Sequence, residues 1–240
     1  MKEQATEASS PLRLLSAGAA KGIVEALTPK WRDETGAEIF ATFGAVGAIK
    51  EALEAGTSCD VIVLTHKMIG ALVAEARVQV DTVAPLGAVR TGIAVRDGDK
   101  LPEINDAAAL RAALIAAKAI YFPDPERATA GVHFMKVLQS LGIDRAVASR
   151  LHPFPNGATA MRALVDEGQR GDIGCTQMTE IRYTRGVTAV GALPSGLDLS
   201  TVYAAAVMRH AEHPEVAQRF VALLTGPWSK DIRFAGGFDT

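Results

Sequence analysis

Short apolar runs of strand length alternate with longer stretches of helical period along almost the whole 240-residue chain, and this alternation restricts the fold more than any other feature. Residues 12–17 (LRLLSA) read as a strand. Residues 19–34 follow as a helix, with Ile23, Val24, Leu27 and Trp31 at helical spacing and Gly36 just beyond. Pro29 is expected to kink or break that helix. Residues 38–43 and 61–64 (VIVL) read as strands, with a helix at 47–55 between them. The pattern continues as a strand at 92–95, a helix at 107–117, a strand at 119–122, helices at 130–141 and 159–167, and a strand at 172–175. Residues 201–208, 214–224 and 229–234 read as helical, with Pro214 suited to a first helical position. Strands alternating with helices argue for parallel α/β layers rather than a sandwich or a bundle.

Charge narrows the function classes. With 25 basic and 27 acidic residues, the chain has no field to attract nucleic acid or anionic lipid. Aromatic residues make up 5%, too few to suggest a base-stacking platform. No apolar run reaches the length of about 18 residues that a membrane span requires, so direct membrane insertion is not expected. The opening MKEQATEASSP is polar and lacks the apolar region of a secretory signal. That leaves a cytoplasmic protein, or a mature secreted chain with a supplied start methionine, in which case the protein is periplasmic.

Catalytic and metal signatures are sparse. There is no Gly-x-Ser-x-Gly elbow, no HExxH and no Walker loop. Cys59 and Cys175 are too few for a zinc site and read as buried thiols, which could pair only if the fold brings them together. His210 and His213 lie beside Glu212, Pro214 and Glu215, which favours a solvated turn over a metal site. No spacing suggests a metal or an organic cofactor.

The segments LLSAGAAKGIVEAL, TGAEI, TFGAVGAIKEALEAG, CDVIVLT, PDPERATAGVHFMKVLQSLGI and NGATAMRALVDEGQRGDIG occur in an order and spacing that resemble molybdate-type substrate-binding proteins. The closing TVYAAAVMRHAEHPEVAQRFVALLTGPWSKDIRFAGGFD extends the resemblance to residues 12–239. It implies an α/β, type II periplasmic-binding-protein fold: two lobes, each a mostly parallel sheet flanked by helices, with a ligand cleft between them. Residues 1–88 and 196–240 would form the first lobe, and residues 89–195 the second. The ligand would sit where loops of both lobes meet helix N-termini, whose unpaired N–H groups and dipoles favour an anion.

In that family a serine hydroxyl from each of two first-lobe loops holds the oxyanion. Here Ala19 stands in the first loop, and Val46 and Gly47 in the second. Each missing donor would cost a desolvated oxyanion roughly 1–3 kcal/mol, so the family's usual ligand is disfavoured. Small residues leave room for something larger, with backbone N–H groups at Ala19 and Gly47 still available. Polar candidates at the matching loops are Ser16, Lys21, Thr42, Arg90, Thr129, His133, Asn156, Thr159 and Gln177. Gln177 and His133 fall where the molybdate binders tend to place tyrosines. The set is neutral to cationic and suits an organic carboxylate.

Each position also has a plainer reading. Lys21 can be a solvated first-turn lysine, Arg90 can pair with an acid, and His133 can be a core histidine between Val132 and Phe134. Asn156 and Thr159 fit a turn and helix cap, Asp60 fits a loop anchor, and Tyr203 fits either core or ligand contact. Two functions remain. One is a solute-binding protein that captures a small anion, closes on a hinge and presents it to an ABC transporter complex in the membrane. The other is an isomerase that shifts an allylic proton on a polycarboxylate, as in the aconitate isomerases that resemble this family. In that case Lys21 and Arg90 would clamp the substrate and His133 would be the catalytic base.

Overall fold

The computed structural model describes residues 11–239; the opening segment read above for a leader lies outside them. The first elements are β1 (Leu12–Ala17), α1 (Lys21–Thr35), β2 (Ile39–Gly44), α2 (Val46–Glu54), β3 (Val61–Thr65), α3 (His66–Ala74) and β4 (Ala84–Arg96). Next come α4 (Ala107–Ala116), β5 (Ile120–Pro123), α5 (Thr129–Ser140), α6 (Asp144–Val147), β6 (Leu151–Phe154) and α7 (Gly157–Asp166). The chain finishes with β7 (Ile173–Gln177), α8 (Met178–Tyr183), β8 (Val187–Ala192), β9 (Ser200–Val207), α9 (Pro214–Thr225) and α10 (Lys230–Ala235).

The strands run in the order β2-β1-β3-β9-β4-β7-β5-β6, with β8 also paired to β4. Thirteen-residue β4 connects two halves of this array. Its first part, Ala84 to Arg90, lies antiparallel to β9 beside β1, β2 and β3. Its second part, from Thr91 onward, pairs antiparallel with β7 and β8 beside β5 and β6. These halves are the two lobes. β1, β2 and β3 in the first lobe, and β5, β6 and β7 in the second, run parallel to one another, as helical connections that cross over the sheet require.

Both faces of each half are covered, which is why β3 (VIVLT) and β7 (IGCTQ) read as continuous apolar or small runs rather than alternating ones. In the first lobe, Leu12, Leu14, Val61 and Val63 pack beneath α1 and α9, where Trp31 meets Phe220 edge to face at 5.3 Å. Leu15, Ile62 and Leu64 face the other way, onto Ile49, Leu53, Ile69 and Leu72 of α2 and α3. The second lobe builds one core from Leu110, Leu114, Phe122 and Phe134, and another from Tyr121, Met161, Leu164 and Ile181.

Two expectations are corrected. Residues 201–208 were expected to be helical, but they form β9, between β3 and β4, with Ala204, Ala205, Ala206 and Val207 fully buried. Alanine favours helix intrinsically, but two flanking strands and helices on both faces outweigh that preference. The helix expected to break at Pro29 runs on to Thr35. Pro29 lies on its exposed side, where water can satisfy a carbonyl that loses its partner. Around the parallel strands of each lobe, β4, β8 and β9 run antiparallel to their neighbours. Cys59 and Cys175 are free, buried thiols that burial pushes up, Cys59 to about 12.

Candidate functional site: an interlobe cavity walled by helix starts

A small cavity, partly open to solvent, lies between the lobes. Its walls are the beginnings of four helices. The first lobe contributes Gly18 and Ala19, from the single 3-10 turn that leads into α1, and Ala45 and Val46 at the start of α2. The second contributes Ala128, Thr129 and Ala130 at the start of α5, and Asn156 and Gly157 at the start of α7. Among the described residues, α1, α2 and α5 have no side-chain cap, although Lys21 N at the start of α1 donates to Gly18 O and Gly47 N in α2 to Arg127 O. Only α7 is capped, by Asn156 Oδ1 accepting from Thr159 N at 2.9 Å. The small residues that begin these helices expose backbone, and the positive dipole ends at the helix starts favour negative charge in the cavity.

Three polar side chains complete the wall: Gln177, Glu180 and Tyr203. Gln177 is 3% exposed and donates through Nε2 to the Tyr203 hydroxyl at 3.3 Å, while its buried Oε1 has no partner among the described residues. Glu180 is 6% exposed, and its Oε2 accepts from Thr176 Oγ1 at 2.6 Å. Burial pushes the Glu180 carboxyl up, and Thr176 with the N–H groups of Ala158, Gln177 and Gly157 counters only part of that. Burial also raises the Tyr203 phenol, reinforced by the neighbouring charge of Glu180.

Two glycines make this arrangement possible. A Cβ on Gly157 would fall 2.0 Å from both Glu180 Oε2 and Thr176 Oγ1, and one on Gly18 would fall 2.7 Å from Glu180 Oε1. Glu180 therefore spans the junction, rooted in the second lobe and pressed on the first lobe's opening turn. Outside the cavity, Gly47 N donates to Arg127 O across the lobes at 3.0 Å, and Arg127 Nε lies 3.3 Å from Glu51 Oε1.

Of the residues singled out in the sequence, Ala19, Thr129, Asn156 and Gln177 line the cavity, and Tyr203 lines it too. Lys21 and Thr159 line an adjoining groove that shares Asn156 and also includes Arg162 and Tyr183. Ser16 is fully buried and donates to Ala17 O at 3.0 Å, and Thr42 is exposed on β2. Arg90 pairs with Asp239 at 3.2 Å with about half its side chain in water, and it lines neither the cavity nor the groove that holds Lys21. His133 Nε2 lies 2.8 Å from Leu197 O, tying α5 to the segment that returns the chain to the first lobe; it is not part of the cavity wall. Asp60 is a loop anchor, bound by Arg13 N, Nε and Nη2 and by Glu212 N.

Sequence reasoning missed Glu180. Within MTEIRY it looks like any acidic residue in the first turn of a surface helix. The only local signal was Thr176 four residues earlier on an otherwise apolar strand.

Two α/β lobes around a cavity walled by helix starts define the type II periplasmic-binding-protein architecture. The periplasmic molybdate-binding protein of Azotobacter vinelandii superposes with a TM-score of 0.77, covering 95% of this chain and 99% of that one at 17% identity. PEB3 of Campylobacter jejuni with bound L-phospholactate gives 0.69, over 95% and 99%, also at 17% identity. The chain belongs to the bacterial extracellular solute-binding protein family, whose sequence profile matches residues 12–239. It is also 26% identical over 233 residues to an aconitate isomerase from a Pseudomonas species, covering 95% of this chain and 86% of that protein.

Proposed function

We propose that this chain captures a small organic carboxylate between its lobes, as the solute-binding partner of an ABC-type transporter. The observation that carries this reading is the convergence of four helix starts from both lobes on one cavity. A carboxylate placed there accepts from backbone N–H groups without needing a cationic side chain. Ala19, Val46 and Gly47 in place of hydroxyl donors disfavour a bare tetrahedral oxyanion. Gln177 Oε1 adds an acceptor, which suits a hydroxyl or a protonated acid group better than a fully ionised oxyanion. Lys21 and Arg162 on the adjoining groove would attract a second carboxylate. PEB3, with its bound phosphorylated organic acid, supports the same ligand class.

Thermal unfolding of the full chain with trans-aconitate, cis-aconitate, citrate, molybdate and sulfate tests the proposal. An organic acid at a hundred times its Kd should raise the midpoint by roughly 5 °C, with smaller or no shifts from the inorganic oxyanions. No shift with any organic acid would overturn it. A second reading, isomerisation of an unsaturated polycarboxylate, is favoured by one specific observation: a buried, protonatable carboxyl, that of Glu180, in the cavity wall.

A further inference from the structure

We infer that Glu180 transfers protons to and from carbon on an unsaturated organic acid held in the interlobe cavity. The inference rests on the reading of that cavity as an organic-acid site. A protein that only holds an anion has little use for a buried carboxylate beside it, since the two charges repel. Glu180 is nevertheless enclosed where the lobes meet. Its Oε2 is fixed by Thr176, and its Oε1 is directed at Gly18, one of the residues lining the cavity. No arginine or lysine contacts the carboxyl among the described residues, so it is not held as a structural ion pair. The surroundings favour its neutral form, and the flanking N–H groups hold it in place whichever form it takes.

The chemistry balances without a co-reactant. In an acid with a CH2 group between a carboxylate and a carbon–carbon double bond, the Glu180 carboxylate removes one CH2 proton. The C–H electron pair moves into the allylic system and is delocalised onto the substrate carboxylates. Their developing charge meets the N–H groups at the starts of α1, α2 and α5. Glu180, whose acquired proton can trade with solvent before transfer, delivers a proton to the far allylic carbon, the double bond shifts by one position, and Glu180 is again a carboxylate. One group within reach of both carbons suffices.

The titratable side chains on elements packed against α8 or facing the cavity are Lys21, Glu25, Lys30, Arg32, Asp33 and Glu34 of α1, Arg162 and Asp166 of α7, Cys175 of β7, Tyr203 of β9, and Arg90 and Arg96 of β4. None of them hydrogen-bonds the Glu180 carboxyl, which leaves it free to act as the single proton carrier.

Proton NMR of the full chain with cis- and trans-aconitate in deuterated water tests the inference, alongside thermal shift with the same acids. Wild type should exchange the allylic carbon-bound protons and interconvert the isomers. Its rate should depend on one group titrating above the ordinary carboxyl range. Glu180→Gln should keep a thermal shift with trans-aconitate and lose exchange by roughly a hundredfold or more. Exchange in Glu180→Gln within threefold of wild type would overturn the inference. A wild-type thermal shift with neither exchange nor interconversion of the isomers would overturn it too, while leaving the binding proposal standing. No shift with either acid removes both. Should Glu180→Gln fail to fold, the wild-type pH profile decides, because a rate flat from pH 4 to pH 8 excludes Glu180 as the carrier.

Discussion

Gln177 of the second lobe donates its side-chain amide to the hydroxyl of Tyr203 in the first, at 3.3 Å, inside the cavity that the two lobes enclose. The pair therefore ties the two lobes together within the site itself. Tyr203→Phe leaves the Gln177 amide without its partner. Affinity for trans-aconitate should fall about tenfold, or about 1.4 kcal/mol, in isothermal titration. An unchanged Kd would mean that the pair only fills space.

Gly47 gives a second test of closure. A Cβ there would lie 3.0 Å from Arg127 O and 3.1 Å from its Cα, in the other lobe. Gly47→Ala should weaken binding about tenfold by holding the lobes apart, and should enlarge the radius of gyration of the trans-aconitate-saturated protein. Arg127→Ala removes only an exposed ion pair with Glu51, so its Kd should stay within about threefold.

Glu180 links the cavity to pH. Its carboxyl is raised in the folded protein, first by burial. The folded state therefore keeps a proton that the unfolded chain releases near the ordinary value of about 4.3. This contribution to stability is full below that value and is lost as pH rises through the raised one. Glu180→Gln should not lose it. Its urea midpoint relative to wild type should climb between pH 5 and pH 8, and a constant difference would contradict the assignment.

Asp60 behaves in the opposite way. Burial pushes its carboxyl up, but the side-chain and backbone bonds from Arg13 and the N–H of Glu212 outweigh that, and the net direction is down. Its stabilisation is present above the ordinary value of about 3.9 and is lost as pH falls through the lowered one. Asp60→Asn should cost about 2 kcal/mol in urea unfolding with an unchanged slope, and should leave trans-aconitate affinity intact.

Lys21 and Arg162 flank the groove beside Asn156. Alanine at either should slow stopped-flow association of trans-aconitate and reduce its salt dependence. Arg90→Ala should not, because that guanidinium pairs with Asp239 in solvent. A slower rate for Arg90→Ala would restore it as part of the clamp.

Most of the architecture was legible because burial on both faces leaves apolar runs such as VIVL and because glycines 36, 56 and 142 end helices. The same burial concealed β9. An alanine run is equally apolar as helix or strand, and only its neighbours β3 and β4 decide between them. Of the candidates taken from loops that match the resembling family, Ala19, Thr129, Asn156 and Gln177 line the cavity. Arg90 and His133 were attractive by residue type, but Asp239 and the Leu197 carbonyl occupy them. Glu180 was hidden for the reverse reason. Its role depends on Gly18 and Gly157, distant in sequence, leaving room for a carboxyl.

The strand order also bears on synthesis. Every strand of the second lobe comes from one stretch of chain, from Thr91 in β4 to Ala192 in β8. The first lobe's sheet has a gap between β3 and β4 until β9 is made near the C-terminus. On the ribosome, the later-encoded half can finish its sheet first, while β1, β2 and β3 wait with one edge unpaired. A stall or truncation before Ser200 would leave that edge open, so chaperone demand in this protein should fall on its N-terminal strands.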